Sequence, residues 1–463
     1  MQKPSLGRRF ALPLKVIGII FLALLMGIPL AMVRDLIAER AANKDGVVAD
    51  IARTAADTQR ITLPVIVVPY TRRWVATTET VDDKLNKKTV STEKTESGTV
   101  QFLPEQVGVT AAPVMKTKKR GLYQVQTYVA ALKVSGRFSL PKDYGYAPAE
   151  GTVTWGAPVL AFGVSDPRGI NNNPVLAWGG GTVRFAPGSG GDLTRIGSGI
   201  SATLPQVKPD AAQDAEFSFT VDLTGMERLS FIPTGRETRV TLDADWGHPS
   251  FFGKFSPDSQ IGSNHFSANW QTSFFSTNAK QAYATCAGSA KCEDFTANEF
   301  GVSFIQPVNL YLQLERAAKY GFLFVGLTFA AFFLFEVLRS LAVHPLQYGL
   351  VGLALAMFFL LLVSLSEHIG FVQAYAVASL ACVGLIVAYL SAVLGNWWRA
   401  LGIGALLAGL YGVLYMLLIS EDNALLMGSL FLFGLLAAAM LATRRVDWYG
   451  IGRRNAEPEP EPA

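Results

Sequence analysis

Charged residues are scarce in this chain. Asp, Glu, Lys and Arg together make up 16% of its 463 residues, whereas hydrophobic residues make up 50%. The formal net charge is only +4, and much of the basic excess lies beside long apolar segments. A nucleic-acid-binding domain instead gathers its basic charge on one face. The charge pattern therefore indicates membrane topology, and we expect no nucleic-acid partner.

Sequence signatures of nucleotide binding and of serine hydrolases are missing. The glycine run at residues 179–181 has neither the Lys-Ser or Lys-Thr pair of a P-loop nor the spacing of a dinucleotide fingerprint. Ser250 lies outside a G-x-S-x-G elbow, the strained turn that exposes a catalytic serine. We interpret the glycine-rich segments as loops between strands. We therefore expect a protein that is not an enzyme and binds no cofactor.

Cysteine is rare as well, with three residues in the chain. Cys286 and Cys292 lie close together in a long polar stretch, whereas Cys382 lies in an apolar segment. Because disulfides persist in exported domains, we expect Cys286 and Cys292 to be bonded, with two free thiols as the alternative. A loop this short contributes about 2 kcal/mol in the chain-entropy picture, so the bond would fix a local turn.

Long apolar segments are what the chain has in abundance. An α-helix needs ~20 apolar residues to cross ~30 Å of hydrocarbon, and residues 16–33 meet this requirement. Further apolar segments follow the polar stretch, at residues 320–338, 346–366, 372–394, 400–420 and 424–442. We predict a polytopic α-helical membrane protein of about six transmembrane helices, with a large β-rich periplasmic domain between the first and second spans.

Basic residues set the predicted orientation. Lys3, Arg8, Arg9 and Lys15 precede the first span, which places the N-terminus in the cytoplasm by the positive-inside rule. A cleaved signal peptide is the alternative, but its apolar region is usually only ~7–15 residues long. The predicted divisions are a cytoplasmic N-terminus at 1–13, the first span at 14–33, the β-rich periplasmic domain at 34–316, a five-helix bundle at 317–442 and a disordered cytoplasmic tail at 443–463.

The polar stretch begins with a helical pattern and then becomes β-rich. Residues 34–56 suit an amphipathic helix that continues outward from the membrane. Residues 61–68 and 123–131 have the β-branched or alternating pattern of strands. Residues 229–232 and 238–242 flank a Pro-Thr-Gly turn, which predicts a hairpin. We expect mostly antiparallel sheet, arranged as a sandwich, several sheets or two lobes, with residues 82–96 as an exposed hairpin or mobile loop.

The densest group of chemically capable side chains follows this predicted hairpin. It contains Asp243, Asp245, Trp246, His248, Pro249, Phe251, His265 and Trp270. His248, His265 and one of the two aspartates would supply donors that zinc accepts, but their spacing matches no metal motif. Pro249 and the nearby aromatic residues favour a bent junction between strands. We expect no metal, and a metal or catalytic site is the alternative.

Ionisable residues in the apolar segments lie near the segment ends. Glu336 is close to the inner end of its span, while Glu367 and His368 are at the outer end of the next one. Such residues often mark function in membrane proteins, so a proton or ion pathway is the alternative to an interfacial position. His344, Gln347 and Tyr348 begin the same span, where we expect a helix N-terminus and an interfacial anchor or, alternatively, a partner site.

Several short segments together resemble the CreD family of bacterial inner-membrane proteins. They are LSFIP at 229–233, WGHPSFFG at 246–253, FSANW at 266–270, FGVSFIQP at 300–307, KYGFLF at 319–324, HPLQY at 344–348 and SLSEHIGF at 364–371. The resemblance implies a multi-pass protein of the bacterial inner membrane that is linked to cell-envelope integrity, stress response and colicin tolerance. It supplies no catalytic site.

The leading hypothesis is a non-enzymatic protein that maintains the cell envelope. Both termini would lie in the cytoplasm, the spans would contact the lipid bilayer, and the periplasmic domain would contact an envelope component or a partner protein. One alternative is a transporter or channel that uses Glu336 and Glu367. A second alternative is a metal-dependent envelope enzyme that uses residues 243–265.

Overall fold

The computed structural model describes residues 11–54, 56–81, 87–190, 197–286, 292–304, 310–339, 343–420 and 423–444. The predicted tail at 443–463 lies outside these residues apart from Thr443 and Arg444. The chain forms two compact units. One comprises residues 1–45 and 308–463, and the other comprises residues 46–307.

The chain begins with two consecutive helices, α1 (Ala11–Leu25) and α2 (Gly27–Thr54). Pro29 has no backbone N–H to donate to the carbonyl of Leu25, which accounts for the interruption at Met26. Helical hydrogen bonds continue on both sides of it, from Met26 N to Leu22 O at 3.0 Å and from Leu30 N to Met26 O at 3.4 Å. The helix predicted for residues 34–56 is present as far as Thr54.

The unit of residues 46–307 is a β-sandwich with one shared hydrophobic core. Its strands are β1 Gln59–Val81, β2 Lys87–Phe102, β3 Gln106–Arg120, β4 Tyr123–Leu140, β5 Thr152–Trp155, β6 Val159–Val164, β7 Val175–Trp178, β8 Gly181–Arg184, β9 Ala186–Pro187, β10 Gly199–Thr203, β11 Gln213–Met226, β12 Arg228–Ile232, β13 Glu237–Ala244, β14 Pro249–Gly253, β15 Asp258–Ile261, β16 Phe266–Ser273 and β17 Phe300–Phe304. A nine-stranded sheet has the order β14-β17-β12-β1-β6-β10-β9, with β2 and β5 also paired to β1. An eight-stranded sheet has the order β15-β16-β13-β3-β4-β11-β7-β8.

Alternation of apolar and polar residues places the inner faces of both sheets in this core. In β3, Val107, Val109 and Ala111 are buried while the residues between them face outward. Pairing is mostly antiparallel, as predicted, although β1 with β12 and β3 with β13 are parallel pairs. Because the two sheets share one core, the sandwich is the observed arrangement among those predicted. Within the charged segment 82–96, residues 87–96 belong to β2 and residues 82–86 lie outside the described chain.

The predicted hairpin of residues 229–232 and 238–242 is wrong. β12 belongs to the nine-stranded sheet, where it pairs with β1 and β17, whereas β13 belongs to the eight-stranded sheet, where it pairs with β3 and β16. The residues between them carry the chain from one sheet to the other. Thr234, fully buried, donates its hydroxyl to the carbonyl of Pro64 at 3.1 Å, and this bond fixes the crossing.

Three short helices follow the eight-stranded sheet: α3 (Phe274–Thr277), α4 (Ala279–Thr285) and α5 (Glu293–Thr296). Ala282 and Tyr283 from α4 and Phe295 from α5 pack with Val65 and Val67 in a second apolar cluster. Val65 and Val67 alternate with the core residues of β1, so these helices cover the other face of the nine-stranded sheet. Cys286 and Cys292 form a disulfide between α4 and α5.

Replacing Cys286 and Cys292 together by Ala should weaken this helical cover more than the sandwich. The disulfide closes a short loop, so its loss should cost about 2 kcal/mol. Hydrogen exchange should speed up in α4 and α5 while the amides of β1 and β4 keep their protection. A matched Cys382→Ala variant, which removes the free buried thiol, provides the comparison. Equal acceleration throughout the sandwich would contradict a local role.

The helical unit is completed by five long helices: α6 (Leu310–Arg339), α7 (Pro345–Ile369), α8 (Phe371–Leu394), α9 (Trp397–Ile419) and α10 (Ala424–Thr443). Among the described residues, six helical segments are long and apolar enough to cross a membrane, the first being residues 14–54. With the sandwich between the first and second segments in the sequence, the predicted fold class is confirmed. We call α1 and α2 together the first helix. It packs closely against α6 and α7, since Gly321 of α6 lies against Leu30 and Gly352 of α7 lies against Met26.

Candidate functional site

The chemically dense segment that begins at Asp243 is a crossing between the two sheets. β13 ends at Ala244 in the eight-stranded sheet, and Pro249 begins β14 in the nine-stranded sheet. The indole N–H of Trp246 donates to the carbonyl of His248 at 3.0 Å and stabilises the bend. A Cβ on Gly247 would lie 2.0 Å from the carbonyl oxygen of Ser263, so only glycine fits this close approach.

Aromatic rings fill the space behind this crossing. The ring of Phe251 lies edge-on to those of Phe266, at 5.8 Å, and Trp270, at 5.6 Å. Trp270 is fully buried, stacks on Phe300 at 5.6 Å and donates its indole N–H to the carbonyl of Phe255 at 3.1 Å. Trp246, Pro249, Phe251 and Trp270 therefore form an aromatic junction between the sheets.

The ionisable residues of the segment lie on the surface of this junction. His265 lies between two carboxylates, with Nδ1 3.1 Å from Asp245 and Nε2 3.4 Å from Asp243. All three side chains are exposed: His265 by 51%, Asp245 by 97% and Asp243 by 60%. Over the described ranges, no group of three or more His, Cys, Asp or Glu side chains is arranged to hold a metal ion. Exposed ion pairs of this kind contribute little stability.

A buried polar cluster lies in the helical unit around Glu336, and we call it the Glu336 cluster. The carboxylate accepts from the Tyr348 hydroxyl at 2.8 Å and from the Val343 backbone N–H at 3.1 Å, and it is ion-paired with Lys15 of α1. Lys15 also donates to the carbonyl of Val343 at 2.8 Å. Glu336 is 9% exposed and Tyr348 is 1% exposed, so the carboxylate and its tyrosine are buried, while Lys15 of α1 is partly exposed.

A second cluster repeats this arrangement around Glu367, and we call it the Glu367 cluster. Its carboxylate, 8% exposed, accepts from the Tyr311 hydroxyl at 3.1 Å and lies 3.8 Å from the guanidinium of Arg40. Each cluster thus combines a carboxylate, a tyrosine and a cation from the first helix. The two later helices exchange roles, because α6 supplies Glu336 and Tyr311 while α7 supplies Tyr348 and Glu367.

The spacing of the two clusters fits the thickness of a bilayer. Lys15 and Arg40 are separated by about 38 Å of helix at ~1.5 Å per residue. A bilayer with its head groups is ~40–45 Å thick. The two clusters therefore attach the first helix to α6 and α7 at points whose separation is close to the thickness of a bilayer.

The other predicted residues at these helix ends have structural roles. His344 caps α7, since its Nδ1 accepts from the Leu346 N–H at 3.2 Å, and its own N–H donates to the side-chain oxygen of Gln347 at 3.0 Å. This is a reciprocal capping arrangement. His368 is exposed, with its Nδ1 3.0 Å from the carbonyl of Ser364. The predicted helix N-terminus at His344 and Gln347 agrees with the structure.

Three residues of the two clusters were missed by sequence reasoning as site residues: Lys15, Arg40 and Tyr311. Lys15 entered the sequence argument only as a topology marker. The available signal was Lys15, a cation at the edge of the apolar segment that follows it, where an unpaired charge is costly. Such a residue calls for a partner, but the sequence does not show which helix supplies it.

A further polar network lies in the sandwich where α2 ends. Arg168 donates to both carboxylate oxygens of Asp166, at 2.8 and 2.6 Å, and also to the backbone carbonyls of Ala52 and Arg53. The last carbonyls of a helix have no partner within the helix, and a cation there is favourable. The hydrogen bonds from Arg168 hold the pKa of Asp166 below its usual value.

Replacing Arg168 by Ala should lower the stability of the sandwich in a pH-dependent way. A carboxylate with a depressed pKa stabilises the folded state above its unfolded pKa, near 4, and loses that contribution as the pH falls through the folded value. The difference between wild type and variant in unfolding free energy should therefore be constant at neutral pH and shrink below about pH 4. Denaturant unfolding at several pH values measures it. Arg184→Ala, at an exposed position, is the control, and a difference that grows in acid would contradict the assignment.

Comparisons with known proteins agree over nearly the whole chain. The model of a family described as "Inner membrane protein CreD" matches residues 11–449. Inner membrane protein CreD of Escherichia coli (strain K12) is 35% identical over 428 residues, which cover 92% of this chain and 91% of that protein.

Solved structures give only weak similarities. An M1 zinc metallopeptidase from Deinococcus radiodurans matches with 9% identity and a TM-score of 0.19, covering 78% of this chain and 96% of that one. A putative nutrient binding protein from Legionella pneumophila matches with 10% identity and a TM-score of 0.16, covering 48% and 82%. Scores this low carry no argument. The family match and the 35% identity extend over almost all of the sequence, and this multi-pass protein therefore belongs to the CreD family of inner membrane proteins.

Proposed function

We propose that this protein maintains cell-envelope integrity without catalysis, through contacts between a periplasmic β-sandwich and an envelope component. The observation that carries the proposal is the use of the chemically dense segment in packing. Trp246, Phe251 and Trp270 join the two sheets, and His265 pairs with exposed aspartates. The residues with the greatest catalytic potential thus support a scaffold.

The distribution of charge supports a periplasmic position for the sandwich. The basic residues Lys3, Arg8, Arg9 and Lys15 precede the first span, and Arg444, Arg445, Arg453 and Arg454 follow the last one. Basic residues favour the cytoplasmic side, and an even number of spans returns the chain to the same side. Both termini are then cytoplasmic, and the sandwich after the first span is periplasmic.

The packing of the first helix supports its retention as an anchor. Removal by a signal peptidase would take Lys15 from Glu336 and leave a buried carboxylate without its cation. Leu30 and Met26 also fill the space beside Gly321 and Gly352. The first helix therefore behaves as a member of the bundle, and an N-terminal epitope tag should remain on the full-length protein in purified membranes.

Cysteine accessibility in intact cells tests the orientation. Lys94→Cys in β2 should react with a membrane-impermeant maleimide without cell lysis, whereas Leu346→Cys at the start of α7 should react only after lysis. Cys382 is a buried free thiol, so labelling of the protein without an added cysteine gives the background signal. The opposite pattern would reject a periplasmic sandwich.

Photocrosslinking in intact cells tests the contact with an envelope component. A photoreactive amino acid at exposed sandwich positions should capture the same envelope component from neighbouring sites, and Phe275, whose side chain is 94% exposed, is one position to test. Turnover of an envelope substrate by purified protein would count against a non-enzymatic role.

The buried carboxylates Glu336 and Glu367 were the sequence-based reason for considering transport. Each of them is paired with a cation and a tyrosine, which is an arrangement suited to joining helices. We therefore do not extend the proposal to a transporter or channel. Ion flux in proteoliposomes that disappears in a Glu336→Gln or Glu367→Gln variant of unchanged stability would restore that alternative.

A further inference from the structure

A cleft of about 710 Å³ lies within the helical unit, between the middle of α2 and the first turns of α6. One face of α2 lines it through Arg34, Ala38, Ala41 and Asp45, whose spacing places them on the same side of a helix. Leu312 and Glu315 line the opposite wall. The cleft is thus bounded by two neighbouring helices of one compact unit.

The cleft lies at the expected level of the lipid head groups. The apolar part of the first span ends at Val33, and Arg34 is the first charged residue after Lys15. Basic and aromatic side chains at such positions favour the interface between hydrocarbon and water. Tyr311 lines the cleft and also donates to Glu367, so the cleft adjoins the Glu367 cluster.

The lining combines a small apolar floor with charges of both signs. Ala38 and Ala41 leave room beside Leu312, which is 50% exposed. Arg34 and Lys44 are positive, while Asp35, Asp45 and Glu315 are negative. Within the part of the chain that the structure describes, none of these five charged side chains forms an ion pair with another residue. A ligand for this cleft would therefore be amphipathic and would carry both charges.

We propose that the cleft binds a glycerophospholipid whose head group is a phosphate with a primary amine. Arg34 or Lys44 would bind the phosphate, and Glu315 and Asp45 would accept hydrogen bonds from the ammonium group, which has three N–H donors. The glycerol backbone and upper acyl chain would cover Ala38 and Leu312. A lipid suits the cleft better than a water-soluble amine, because the amine alone would leave this apolar floor exposed.

The charge balance distinguishes this lipid from other head groups. A quaternary choline carries the same charges but has no N–H to donate to Glu315 or Asp45. A glycerol head group brings a negative phosphate and no cation, so it would add negative charge to the cleft and offer no ammonium group to Glu315 or Asp45. The primary amine should therefore bind best, and the anionic lipid worst.

Native mass spectrometry of the full-length protein tests the proposal with three lipids of identical acyl chains. Phosphatidylethanolamine should form adducts roughly fivefold to tenfold more abundantly than phosphatidylcholine or phosphatidylglycerol, as expected for the net contribution of one solvent-accessible hydrogen bond. Ala38→Trp, which fills the cleft, should abolish this preference. Equal binding of all three lipids, or a preference that survives Ala38→Trp, would overturn the proposal.

Two further arms keep the result interpretable. The double variant Asp45→Asn with Glu315→Gln preserves shape and should remove the preference for ethanolamine over choline, while Lys319→Gln on the same helix should retain it. Water-soluble glycerophosphoethanolamine should fail to displace the lipid at equal concentration. Displacement, or a preference that is intact in the double variant, would reject a lipid site built on these carboxylates.

Discussion

Replacing Lys15 by Met should destabilise the helical unit by about 3 kcal/mol, the lower part of the range for breaking a buried ion pair. The Glu336 carboxylate would remain buried with only the Tyr348 hydroxyl and the Val343 N–H as donors. The lower value applies because Lys15 is itself 23% exposed and part of its interaction is screened by solvent. Reversible unfolding in mixed micelles, followed by the loss of helical signal, measures the change.

The informative comparison is with the double variant Lys15→Met and Glu336→Gln. A glutamine oxygen still accepts from Tyr348 and Val343 but carries no charge that needs a cation. The double variant should therefore be more stable than Lys15→Met alone, although it carries one more substitution. Lys319→Met, at an exposed position of α6, should change the unfolding free energy by less than about 0.5 kcal/mol. If the single and double variants were equally unstable, the loss of stability would not come from an unpaired charge on buried Glu336.

The two clusters show which part of the helical unit could be predicted from the sequence. Long apolar segments and flanking charges identify helices because they follow from the chemistry of one segment in a bilayer. The partner of a charge depends on how helices pack, and Lys15 and Glu336 are 321 residues apart. The prediction that Glu336 and Glu367 lie near span ends did not extend to their cations for this reason.

The error at residues 229–242 has a similar physical origin in the sandwich. Two apolar segments separated by Pro-Thr-Gly fit a hairpin and a sheet-to-sheet crossing equally well, because both need a tight change of direction. The choice depends on neighbours distant in sequence: β1 and β17 receive β12, while β3 and β16 receive β13. The local sequence pattern therefore predicted the strands β12 and β13 correctly but paired them wrongly with each other.

The aromatic junction was predicted more successfully because its residues lie close together in sequence. Proline, glycine and clustered aromatic residues between Trp246 and Trp270 indicate a bend that large rings can fill. The exposed pairing of His265 with Asp243 and Asp245 was beyond this reasoning, since it depends on the register of β13 against β16. Local composition thus indicated the aromatic bend. The ion pairs of His265 on its surface depend on strand pairing, which local composition does not show.

Replacing Trp270 by Ala should destabilise the sandwich by about 3–5 kcal/mol, the usual cost of truncating a fully buried large aromatic residue. Its ring stacks on Phe300 and contacts Phe251 edge-on, so its removal would open a cavity between the two sheets. The carbonyl of Phe255 would also lose the indole N–H that it accepts. Denaturant unfolding followed by near-ultraviolet circular dichroism measures the loss of aromatic packing.

Two comparison variants separate packing from the hydrogen bond. Trp270→Phe keeps an aromatic ring against Phe300 and loses the donor to Phe255, so its cost should lie between those of wild type and Trp270→Ala. Phe275→Ala removes an aromatic ring that is 94% exposed and should change the unfolding free energy by less than about 0.5 kcal/mol. A Trp270→Ala protein as stable as Phe275→Ala would mean that the junction does not hold the sheets together, and the motif would then require a role other than packing.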